Sequence, residues 1–156
     1  MKPIAVLVSV LVLLVPAGAH ATETAKVLYY DAAHAGEFAD NVDRGAANWN
    51  SRLTKVHLRQ WHAGDPRHIT VSVDDGWPRA DPGPLGSGTV TIGRRATREG
   101  HDPTRIAAHE LGHILGLPDR RTGRCADLMS GSSAGTSCTN AYPSAREATT
   151  VDHSFD

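Results

Sequence analysis

His109, Glu110, His113 and Asp119 fall close together in the run HELGHILGLPD. On a helix, His109 and His113 stand about one turn apart and project from one face, where both imidazoles can grip one zinc ion. Glu110 lies about 100° around the helix from His109, so its carboxylate can reach a water on that metal without being a ligand. Gly116 can take the left-handed conformation that ends a helix, and Pro118 cannot continue one. The chain must turn there, and Asp119 arrives where a third ligand is needed, leaving a fourth position for water. A metal-activated water beside a carboxylate base is the equipment of peptide-bond hydrolysis. With nine histidines in the chain, a chance HExxH is roughly a one-in-a-hundred event, and requiring Gly116 and Asp119 as well lowers this to roughly one in ten thousand. The extended pattern, not the short one, carries the weight.

The elements that must position these residues are legible in outline. Asp102 suits the N-cap and Pro103 the first turn of a helix running to about Gly116. Ala107, Leu111, Ile114 and Leu115 lie on the face opposite the histidines, ready to pack on a sheet, and the small Gly112 and Gly116 leave space near the histidine face. Upstream, Lys26 to Asp31 is an expected strand, and Glu37 to Leu53 a helix with Phe38, Val42, Ala46, Trp49 and Leu53 at three- and four-residue steps. Lys55 to Trp61, His68 to Val73 and Thr89 to Ile92 are further expected strands. Gly76 to Gly88, with three prolines and four glycines, is an expected loop, as is Gly93 to Asp102. A last helix is expected from Pro143 or Ser144 to about Asp152, with a proline in its first turn. Early strands with a crossing helix and late helices make this an α+β domain. The Thr89 to Ile92 edge is a place where an extended peptide could add as a strand.

The front of the chain sets the compartment. Lys2, an apolar run from Ile4 to Val15, the break at Pro16-Ala17-Gly18 and then Ala19-His20-Ala21 give the pattern of a secretory signal peptide cut after Ala21. The apolar run is about a dozen residues where a membrane span needs about 20. Residues 1–21 are thus an expected leader and 22–156 one domain, with no pro-segment between leader and first strand and no membrane attachment after cleavage. Outside the cell, Cys125 and Cys138 are expected to form one disulfide, closing a loop whose constraint stabilises by roughly 3 kcal/mol. The alternative, a thiolate pair on zinc, would close a site that needs room for water. Sixteen basic and 17 acidic residues nearly balance. Arg94-Arg95 and Arg120-Arg121 are only pairs, of the kind found on solvated surfaces, so nucleic acid is not an expected partner.

HELGHILGLPD, followed by CADLMSG and SCTNAYP, resembles the snapalysins, small secreted bacterial neutral proteases of the metzincin group of zinc endopeptidases. An aspartate in place of a third histidine is the snapalysin variation, and the YYD and AANWN stretches are similar too. The resemblance implies a zincin-like domain with a twisted, mostly parallel sheet over an active-site helix and a C-terminal helix. It implies zinc on His109, His113 and Asp119, Glu110 as general base, and Met129 as the Met-turn methionine forming an apolar floor below the metal. Cys125–Cys138 matches the family's disulfide, and Asp102 with Thr104 would be oxygen donors to a calcium ion. Protein or peptide substrates, a monomeric enzyme, and cleavage on the amino side of aromatic residues are further implications. One departure stands out: family members tend to have His-Tyr after the aspartate, where this chain has Arg120-Arg121. A secreted zinc-binding module without activity is the rival reading, and it has little need of Glu110.

Overall fold

The computed structural model describes residues 24–156; the expected leader, residues 1–21, lies outside the described residues. One five-stranded sheet organises the chain, in the order β2-β1-β3-β5-β4. Its strands are β1 (Lys26–His34), β2 (Val56–Gln60), β3 (Ile69–Asp74), β4 (Arg79–Pro82) and β5 (Gly88–Gly93). All neighbours run parallel except β4, which pairs antiparallel with β5. The mixed helix-and-sheet architecture with a mostly parallel sheet is the expected one.

Helix α1 (Ala39–Asn50) crosses between β1 and β2 after a short 3-10 turn at Gly36–Phe38. It buries Val42, Ala46 and Trp49, as its periodicity requires, with Phe38 of the preceding turn buried and Leu53 partly buried beside them. The Trp49 indole donates 2.8 Å to the carbonyl of Ala108, which pins α1 against α3 (Pro103–Ile114). Leu111, Ile114 and Leu115 are fully buried with Leu28, Ile69 and Ile92 of the sheet, so the apolar face of α3 packs as expected. Helix α4 (Ala145–Ser154) follows the long segment that returns past α3. Among the described residues, no helix is long and apolar enough to cross a membrane.

Four details depart from the sequence expectations. The loop expected at 76–88 contains β4, a strand that ends on Pro82, which an edge position tolerates because its missing N–H need pair with nothing. Since β4 covers β5, the Thr89 to Ile92 segment is not an edge, and the free edge on that side belongs to β4. The loop expected at 93–102 contains α2 (Arg94–Arg98), a single turn too short to show a periodic stripe. The proline near α4 precedes the N-cap and does not sit in the first turn. Ser144 is the cap, in a reciprocal capping box with Glu147.

Candidate metal centre

Helix α3 starts as its sequence dictates, with Asp102 Oδ1 accepting from the Arg105 backbone N–H at 2.7 Å and Pro103 in the first turn. It ends at Ile114, and just beyond it Gly116, with φ 94°, lets Leu117 N–H return to the Gly112 carbonyl. Between these ends His109 and His113 point to one spot. The Nδ1–H of His109 donates to the Leu128 carbonyl at 3.0 Å, and that of His113 to the Leu117 carbonyl at 2.8 Å. A carbonyl only accepts, so each Nδ1 carries a proton, and in the neutral imidazole Nε2 presents its lone pair.

Those two Nε2 atoms are 3.2 Å apart. Asp119 Oδ1 lies 3.2 Å from the His109 Nε2 and 3.6 Å from that of His113. Donor atoms held about 2.0–2.1 Å from a tetrahedral zinc are separated from one another by about 3.4 Å. Two neutral imidazole lone pairs and a carboxylate oxygen this close repel, and a cation among them turns the repulsion into binding. The donor types and spacing fit zinc. Burial lowers the His109 pKa, more than its backbone hydrogen bond raises it, which keeps the imidazole neutral and available.

Glu110 sits beside the cluster, 6% exposed, and its carboxyl lines the same cavity as both histidines and Asp119, with a volume of about 540 Å³. Burial, with the charge of Asp119 added, pushes its pKa up to about 8. It caps no helix and forms no ion pair among the described residues.

Met129 is fully buried and packs under α3 against Gly112. Gly112 is therefore not empty space near the histidines; the space is filled by the Met129 thioether and the Trp49 ring. Cys125 and Cys138 form the disulfide, with Cα atoms 5.4 Å apart, so neither thiolate is available to a metal. The expected calcium donors are otherwise engaged, and the structure does not support that site. The Asp102 carboxylate caps α3, and the Thr104 hydroxyl accepts from Asn41 at 2.9 Å and Arg44 at 3.3 Å. A guanidinium at that oxygen is the opposite of what a calcium ion needs.

Two site-building residues escaped the sequence reading. Arg105 is buried and donates to the carbonyls of Cys125, Asp127, Leu128 and Asn140. Glu147 is buried and accepts from the backbone N–H of Leu128 at 3.1 Å and of Met129 at 2.7 Å. Together they hold the segment that supplies the carbonyl partner of His109. The Ser144-x-x-Glu147 spacing is a capping-box signal that could have located Glu147; nothing in the sequence singles out Arg105.

A His-Glu-x-x-His helix, joined by a carboxylate from the following turn and backed by a mostly parallel sheet, defines the layout of the zinc-dependent peptidase class. Within that class the chain belongs to the Streptomyces extracellular neutral proteinase (M7) family, whose profile matches residues 25–155. The extracellular small neutral protease of Streptomyces lividans is 38% identical over 128 residues, covering 82% of this chain and 56% of the relative. That of Streptomyces caespitosus is 37% identical over 130 residues, covering 79% of this chain and 92% of the relative. The chain thus spans about half the length of the Streptomyces lividans protein. Among solved structures, the hatching-enzyme zinc-protease high choriolytic enzyme 1 from Oryzias latipes superimposes with a TM-score of 0.48 at 20% identity, over 65% of this chain and 49% of that one.

Proposed function

We propose that this protein is a secreted zinc-dependent endopeptidase, with a leader at residues 1–21 and the protease domain over 22–156. The observation that carries the reading is the convergence of His109 Nε2, His113 Nε2 and Asp119 Oδ1 in a cavity that Glu110 also lines, with no ion pair to Glu110 among the described residues. These three atoms would hold zinc. Bound there, zinc supplies Lewis acidity, lowering the pKa of a water toward 7 and polarising the scissile carbonyl. Glu110 is the general base: its carboxylate takes the proton of the attacking water and passes it to the leaving amine. Its pKa, about 8 without the ion, would be drawn down by a neighbouring dication, which favours the carboxylate form. Met129 forms the apolar floor that keeps α3 and the following turn in register.

Substrates are protein or peptide chains. The free edge of β4 borders the cavity through Arg79, Ala80 and Pro82, so an extended peptide can add there as a further strand. The preference for an aromatic residue on the carboxyl side of the cut, implied by the resemblance, is supported by the ring of Trp77 in the cavity wall, 40% exposed. We read the enzyme as a monomer that needs neither nucleic acid nor membrane. A binding module would have no use for a carboxylate placed on the cavity wall beside the three donors.

Glu110→Gln separates the two roles. The variant is expected to retain zinc one-to-one after dialysis and to lose cleavage of an unfolded protein substrate by at least about a hundredfold. Substantial remaining cleavage would remove Glu110 from the base role.

A further inference from the structure

The two histidines of the cluster are each locked from behind by a backbone carbonyl; Asp119 is held differently. Its Oδ1 faces the histidines, while its Oδ2 lies 3.2 Å from the Arg121 Nη2. Arg121 is the only residue donating a hydrogen bond to that carboxylate from outside the cluster among the described residues. The backbone is committed to this contact as well. Arg121 has φ 37°, the one non-glycine residue in the left-handed region among the described residues. That conformation is unfavourable for a residue with a Cβ. It is set up by the preceding residue, whose N–H donates to the Met129 carbonyl at 2.8 Å, so the turn cannot relax without breaking from the floor of the site.

We propose that Arg121 is a positioning residue that divides the two oxygens of Asp119, reserving Oδ1 for the metal and withholding Oδ2. This rests on the zinc reading above. A carboxylate free at both oxygens can swing onto a zinc ion with two, filling the position that water must occupy. The guanidinium prevents this by occupying Oδ2, and it offsets part of the carboxylate charge, which preserves the electrophilicity of the metal. Hydrogen-bonded partners of ligating carboxylates orient them and change activity by about 10–100-fold when removed. The side chain of Arg121 lines the cavity with the cluster, so it is in place for this role without a rearrangement.

The test compares wild type, Arg121→Gly and Arg121→Lys, each loaded with cobalt(II) for spectroscopy and with zinc for kinetics. Glycine relieves the left-handed backbone while removing the guanidinium, so stability and function should part. The metal-free glycine variant is expected to melt no lower than wild type. Its cobalt form should show weaker visible absorption bands, the mark of a fifth donor, and its zinc form a kcat about tenfold lower with KM little changed. Lysine, which can still pair with Oδ2, should recover most of the band intensity. A glycine variant with the cobalt spectrum and kcat of wild type overturns the proposal, and so does one whose only change is a lower melting temperature. If wild type itself takes up no cobalt, the zinc reading has failed, a result distinct from either.

Discussion

A methyl group added at Gly112 would lie 2.6 Å from the Met129 Sδ and 3.1 Å from the Trp49 ring. Both neighbours are fully buried, so neither can step out into solvent. The helix itself would gain by the change, since alanine is about 1 kcal/mol better than glycine in a helix interior. Overpacking of a closed core costs about 1–3 kcal/mol, and the clash should win. Gly112→Ala is expected to lower the urea midpoint at unchanged slope, and the same substitution should cost less in a Met129→Ala background than in the wild type. A stabilised Gly112→Ala protein would show that the thioether moves aside freely. The same residues mark where sequence reasoning stops. His109, Glu110, His113 and Asp119 were legible because a helical period and a forced turn dictate their geometry within eleven residues. The function of Gly112 was not, because it depends on Met129 and Trp49, which arrive from other parts of the chain.

Helices and strands repeat that division. Strands β1, β3 and β5 and helices α1 and α3 announce themselves through alternation or a buried stripe, and α3 also carries a recognisable N-cap in Asp102. β4 hides inside a glycine- and proline-rich stretch because an edge strand of four residues, paired on one side only, needs neither alternation nor a full set of N–H donors. The docking of α4 is equally silent in the sequence. It relies on Asp152, whose carboxylate accepts from the backbone N–H groups of Thr54 and Lys55 and from the Thr54 hydroxyl. Burial works to raise the Asp152 pKa, but these three donors outweigh it and the pKa is lowered. With the folded pKa below the unfolded one, the contribution is complete above the usual carboxylate range and is lost as the pH falls through the folded value. Asp152→Asn should therefore cost about 1–3 kcal/mol at pH 7, with the difference from wild type shrinking toward pH 2. Denaturant melts at the two pH values decide this; an equal gap at both would mean that charge is not what holds α4 to the start of β2.

For the molecule as a whole, the metal is expected to be part of the stability as well as the chemistry. Its three donors join α3 to the turn beyond it, so the folded state binds zinc far better than the unfolded chain does. A ligand at a hundred times its Kd adds about 2.7 kcal/mol, worth roughly 10 °C in a domain of this size. Chelation should lower Tm by that order, and Glu110→Gln should show the same drop because Glu110 is not a donor to the metal. A chelator that leaves Tm unchanged would speak against the site. The cluster also depends on an element far along the chain, since Glu147 of α4 holds the backbone of Leu128 and Met129, and Leu128 holds His109. This imposes an order in time. His109, Glu110, His113 and Asp119 all leave the ribosome before Glu147 does, so the histidine lacks its anchored partner until α4 has been made and has docked. A chain made only as far as Met129 thus carries all four residues of the candidate site without the element that fixes the Leu128 carbonyl behind His109.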